Sequence, residues 1–149
     1  MYKLICLVAL SLPFIHSMYT GGSSFKDCGS VDGILESIDV IPCDEKPCVL
    51  HKGSTTEIDV KFVPKKRISG GKASVHGIVA GIPVPFHIQD SDICHFVTPA
   101  CPLEPGTEYT YKYSLPVSSA YPSWRLNVKW ELQDEKEDIT CALIPVQLK

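Results

Sequence analysis

Apolar and polar residues alternate with a period of two over several stretches, the pattern of strands with one buried face. Within Thr56–Val63, Ile58, Val60 and Phe62 alternate with Glu57, Asp59 and Lys61. Over Glu108–Val117, Tyr109, Tyr111, Tyr113, Leu115 and Val117 share a face. Trp124, Leu126, Val128, Trp130 and Leu132 oppose Arg125, Asn127, Lys129 and Glu131, and Ala142, Ile144, Val146 and Leu148 alternate near the end. Ile34–Ile41 and Lys72–Val79 are two further strands of less regular pattern. Turn-forming clusters separate them: "HKGST", "RISGGK", "CPLEPGT" and "QDEKED". No helical period is sustained. The pattern predicts an all-β protein, an immunoglobulin-like β-sandwich of about seven antiparallel strands. The Cys-Trp-Cys arrangement of antibody domains is absent, so the likeness is architectural.

Gly77–Ile88, "GIVAGIPVPFHI", departs from the pattern, being strongly apolar with Pro83 and Pro85 inside it. Proline brings no N–H to a ladder, which places this run at an edge, bulge or rim. Such an edge is ordinarily blunted with charge, yet no Lys, Arg, Asp or Glu stands between Lys72 and Asp90. Prolines also interrupt "SLPVSSAYPSW" and "LIPVQL". The apolar faces could fill an ordinary core, but sheets denied ladder bonds at one end leave a slot between them. Walled by Val, Phe, Tyr and Leu, that slot suits a lipid. The hydroxyls of Tyr111 or Tyr121 could meet a ligand hydroxyl at its mouth.

Composition adds a compartment. Met1–Lys3 followed by the apolar run Leu4–Ile15 and small residues is a secretory signal peptide, residues 1–17, with a boundary that could extend to about 24. The remainder, 25–149, is one domain. A net charge of −3 gives no reason to expect nucleic acid, and "PKKR" (Pro64–Arg67) reads as a solvated hairpin turn. Cys6 leaves with the signal, so six cysteines remain for disulfides. Fifteen connectivities are possible. Cys43 and Cys48, and Cys94 and Cys101, bracket turn-like segments, and this spacing leaves Cys28 for Cys141.

Catalytic chemistry is not evident. His51, His76, His87 and His95 show no mechanistic spacing, and His95 reads as an exposed loop histidine. No C-x-x-C offers a zinc site. Asp90 and Asp92 read as a solvated turn rather than a calcium loop. No metal, cofactor or enzymatic activity is expected.

The segments "FKDCGS", "PCxxxPCxLHKG", "VHGIVAGIPVPF", "LPVxxxYPS" and "VKWEL" resemble the Niemann-Pick disease type C protein 2 family, within the ML (lipid-recognition) domain proteins. The resemblance spans nearly all of the mature chain and includes all six cysteines. It implies the disulfides Cys28–Cys141, Cys43–Cys48 and Cys94–Cys101 and an apolar pocket for cholesterol. The sterol site it implies comprises Val79, Val84, Phe86, Leu115, Pro116, Val117, Tyr121, Trp124 and Trp130, with Leu50, Ile58 and Leu126 as further wall positions. Ile78, Ile82 and Pro83 would form a membrane-facing rim. It further implies a soluble monomer, secreted or in the lysosome lumen, that exchanges sterol with membranes or with the membrane-bound Niemann-Pick disease type C protein 1. An alternative within the family is a fatty-acid or semiochemical carrier, or an innate-immune lipid-recognition protein. Asp59 stands where the family has a glycosylated asparagine, and no sequon occurs elsewhere. The Cys94–Cys101 loop is one residue longer than in vertebrate members. Ala142 and Thr56 stand where aromatics often line the pocket, which would widen it.

Overall fold

The computed structural model describes residues 22–149, so the expected signal peptide lies outside the described residues. Ten strands form two sheets: β1 (Lys26–Asp27), β2 (Gly33–Ile41), β3 (Cys48–Leu50), β4 (Thr55–Pro64), β5 (Lys72–Val79), β6 (Ile82–Phe86), β7 (Val97–Thr98), β8 (Tyr109–Pro116), β9 (Arg125–Gln133) and β10 (Asp138–Leu148). One sheet runs β1-β10-β9-β5-β6, and the other β2-β4-β8-β7. β3 pairs in parallel with the end of β10, along the edge that β1 occupies farther back. The seven long strands are those expected from alternation, together with the proline-bearing lip. β1, β3 and β7 span two or three residues, too few to show a period of two. No helix among the described residues is long and apolar enough to cross a membrane.

The inward faces are those the alternation marks. Ile58, Val60 and Phe62 of β4 and Tyr109, Tyr111, Tyr113 and Leu115 of β8 are buried against Val75, Trp130, Leu132, Ala142 and Ile144 of the opposite sheet. The core thus draws on strands far apart in sequence. Three disulfides join Cys28 to Cys141, Cys43 to Cys48 and Cys94 to Cys101. The first spans 113 residues, and in the chain-entropy account such closure is worth about 5 kcal/mol.

The "PKKR" segment is not a hairpin turn. β4 and β5 lie in different sheets, so Lys65–Gly71 is a crossover between them. Ile68 is buried in it and exchanges backbone hydrogen bonds of 2.9 and 2.8 Å with Leu103. Lys66 reaches both Asp32 (3.1 Å) and Asp134 (3.3 Å), stapling the crossover to the turns before β2 and after β9. The facing Asp134 carboxylate, followed by burial, pushes the Asp32 carboxyl up. A Gly-rich polar connection has the same composition whether it turns back or crosses over, which is why the pattern pointed the wrong way. Gly71 closes the crossover: a Cβ there would lie 2.1 Å from the Gln133 carbonyl oxygen.

Before β7, a short 3-10 turn (Ile93–His95) buries Ile93, and the Asp92 carboxylate accepts from the Cys94 N–H at 2.9 Å. His95 is exposed in its loop, as expected, and pairs with two aspartates. Its Nδ1 lies 2.6 Å from Asp90 Oδ2 and its Nε2 3.5 Å from Asp92 Oδ2. The hydrogen bond to Asp90, then the charges of Asp90 and Asp92, raise the His95 pKa above its ordinary 6.5. The same bond, with the Asp92 N–H, holds Asp90 below the usual carboxylate range.

Gly71→Ala should cost about 3 kcal/mol or more, read as a lower denaturation midpoint at unchanged slope, because backbone must move to admit the methyl. The Asp90–His95 pair should stabilise the fold across a defined window. The raised histidine contributes fully below pH about 6.5 and loses its contribution as pH rises through its folded value. The lowered aspartate contributes above pH about 4 and loses its contribution as pH falls through its folded value. The His95 ring should therefore titrate above 6.5 by NMR and return toward that value in Asp90→Asn; equal midpoints in both proteins would refute the pairing.

Candidate ligand-binding site

Along β9 the inward row becomes progressively more exposed. Leu132 and Trp130 are buried, Val128 and Leu126 are half-buried, and Trp124 beyond the strand is 45% exposed. The alternation is unbroken, so the change reflects what stands opposite. At the level of Trp130 the sheets are bridged by rings, with its indole 5.7 Å from Tyr113 and 6.2 Å from Tyr111 across the interior. Phe96 packs edge-on to Tyr113 at 4.9 Å. Past this level Leu115, Val117, Leu126, Val128 and Val146 face inward, and none is long enough to bridge a gap of about 10 Å between sheets. A cavity of about 370 Å³ opens there at the end of the sandwich.

Of the residues expected at the sterol site, Val79, Val84, Phe86, Leu115, Pro116, Val117, Tyr121 and Trp124 line the cavity, together with Leu50 and Leu126. Trp130 does not. It is 1% exposed and forms part of the aromatic bridge behind the cavity, because its indole is large enough to reach the opposite sheet. Ile58 is buried in the core without lining the cavity. Tyr111 is fully buried in the same bridge, away from the mouth, and burial pushes its phenol pKa up. Its hydroxyl and the Trp130 Nε1 are buried without a hydrogen-bond partner among the described residues. Ala142 is paired across from Trp130, and Thr56 is buried on β4; neither lines the cavity, so neither widens it.

Val75, Val128, Val146 and Leu148 complete the wall. They were missed as site residues although their alternation was visible, since that signal marks a face and not the depth of the gap it meets. His76 and His87 border the cavity from the β5–β6 side, and Tyr121 from the loop after β8. No Asp, Glu, Lys or Arg lines it among the described residues. The arrangement offers extensive apolar contact and few polar tips, which suits capture of an apolar molecule.

The lip is an edge strand. β6 pairs only with β5, from Val75↔Phe86 to Val79↔Ile82. Ala80 and Gly81 join the two strands with φ of 50° and 78°, the twist of a tight two-residue hairpin. Ala80 in the left-handed region costs about 1 kcal/mol, so this rim is held under slight strain. Pro83 and Pro85 are two apart, so their ring nitrogens turn to the same side of the strand. An edge strand tolerates this because only one side needs donors. Phe86 then meets Tyr121 edge-to-face, ring centroids 5.5 Å apart, joining the lip to the loop after β8. Ile78, Ile82 and Pro83 lie outside the cavity, Ile82 being 65% exposed.

The ML domain family profile matches residues 22–148. The "NPC intracellular cholesterol transporter 2" of Danio rerio is 39% identical over 148 residues, covering 99% of this chain and 97% of that protein. The Bos taurus protein of the same name is 43% identical over 126 residues, 84% of each chain. The crystal structure of a Niemann-Pick type C2 protein from the Japanese carpenter ant superposes with a TM-score of 0.77 at 33% identity, covering 85% of this chain and 99% of that one. With the two-sheet sandwich, the apolar cavity at its open end and a family match over the whole described domain, this chain belongs to the ML domain family.

Proposed function

We propose that the protein binds a sterol in the cavity between its sheets and carries it in intracellular sterol transport, exchanging it with membranes. The observation that carries this reading is the cavity itself, about 370 Å³ of apolar wall open at one end. That size lies within the range of small-molecule pockets. Burying about 400 Å² of apolar ligand surface gains about 10 kcal/mol before association costs, enough for tight but reversible capture. The cholesterol-transporter names of the Danio rerio and Bos taurus relatives support cholesterol as the ligand.

Two features support loading at a membrane surface. Ile82 and Val84 on the lip and Trp124 beside the mouth are exposed at 65%, 47% and 45%, and the lip strand β6 carries no formal charge. An apolar edge of that kind fits against the interfacial region of a bilayer, where a sterol can pass into the slot without crossing water. Delivery to the membrane protein Niemann-Pick disease type C protein 1 is the corresponding hand-off, using the same open end. The signal peptide expected from the sequence and the three disulfides support residence in an oxidising compartment, outside the cell or in the lysosome lumen.

Filling the cavity and charging the lip should act on different steps. Val117→Phe should lower equilibrium affinity for a fluorescent sterol at least tenfold while leaving the melting temperature within about 3 °C; undiminished affinity would mean that sterol binds elsewhere. Ile82→Asp, outside the cavity wall, should leave that affinity intact and slow sterol transfer between liposomes about tenfold. Equal transfer rates in the two proteins would exclude the lip as the docking edge.

A further inference from the structure

Lys52 lies beside the cavity rim and enters no ion pair among the described residues. Its backbone N–H donates to the Lys149 carbonyl at 2.8 Å, and the Gly53 N–H donates to the Val117 carbonyl at 2.6 Å. These bonds tie the turn after β3 to two sides of the cavity. Its ammonium Nζ donates to Ser123 Oγ at 2.9 Å, and Ser123 sits between Pro122 and Trp124, which both line the cavity. Among the described residues only two Lys or Arg side chains are half-buried, Lys52 and Lys129. Lys129 lies 3.6 Å from Glu131, whereas Lys52 enters no ion pair. An ammonium held beside the rim by Ser123 and left unpaired is free to form a charge-assisted hydrogen bond with an incoming anion. The cavity wall has no formal charge, so the polar end of an amphiphile is best satisfied at the mouth.

We infer that Lys52, positioned by Ser123, reads the headgroup of the bound lipid and favours amphiphiles that end in an anion, such as a carboxylate or sulfate, over neutral ones of the same tail. This rests on the lipid-carrier reading and adds a specificity-determining residue to it. The pocket supplies affinity for the tail, while Lys52 supplies a charge-assisted hydrogen bond to the head, worth about tenfold in affinity. Neutral sterols remain ligands, because the apolar wall supplies their affinity without needing the ammonium.

The test measures binding of oleate and of oleyl alcohol to the full mature chain in the absence of membranes. Wild-type protein should prefer oleate about tenfold, and raising the salt from about 0.05 to about 0.5 M should reduce that preference without changing alcohol affinity. This arm needs no variant to fold. Lys52→Met should lower oleate affinity about tenfold and hold alcohol and sterol affinities within about twofold, while Lys52→Arg should retain the preference. Lys65→Met, on the crossover and away from the cavity, should change neither.

No preference in the wild-type protein, or parallel losses for acid and alcohol in Lys52→Met, would overturn the assignment while leaving sterol carriage intact. If Lys52→Met reduced binding to phosphatidylserine vesicles but kept the oleate preference, the cation would serve a lipid surface instead and the proposal would be wrong. Failure of oleate, alcohol and sterol alike to bind would remove the lipid-carrier reading, and this inference with it.

Discussion

The separation of the two sheets is set by one contact, the packing of Trp130 against Tyr111 and Tyr113 across the interior. An indole and two phenols fill the inter-sheet space that aliphatic side chains cannot span from one side. On one side of this bridge the core is closed, with Phe62, Leu132 and Ile139 fully buried. On the other side the strands continue with valine, leucine and glycine, and the sheets stay apart because the bridge props them. Gly77 is part of this arrangement: a Cβ there would press within 3.0 Å of the Leu126 side chain. The cavity is therefore a consequence of side-chain size graded along continuous strands and needs no break in the sheet.

Holding the end open leaves the rim with exposed apolar side chains and an unpaired strand edge. Proline manages the edge, since Pro83 and Pro85 remove donors that would template another strand. Charge would manage it too, but charge would also keep an apolar partner away. The β5–β6 hairpin, turned tightly at Ala80–Gly81, and the Phe86–Tyr121 contact keep the lip in place. Next to Trp124, Lys52 and Ser123 connect the turn after β3 to the loop before β9. The rim thus combines apolar side chains with a lysine close by.

Much of this was legible in the residues themselves. Alternation in Glu108–Val117 and Ser123–Leu132 marks the inward faces, and the short cysteine spacings frame the disulfides. The prolines of the lip mark an edge. The crossover at Lys65–Gly71 was not legible, because its Gly and Lys composition is shared with hairpin turns; only the sheet membership of β4 and β5 separates the two. The exposure of His95 in its loop was legible, but its pairing with Asp90 and Asp92 was not, because they meet only once the 3-10 turn folds the loop back.

Trp130 shows where the boundary falls. Its position on the inward face follows from alternation with Lys129 and Glu131, and this alone is compatible with either a cavity wall or a core plug. The choice depends on which residues of β8 lie opposite, and those are brought there by long-range packing of two separate sheets. Periodicity is a local property of a strand and determines which way a side chain points. Depth between sheets is a property of two strands remote in sequence, so only the tertiary structure decides which inward residues meet a partner and which border an open slot.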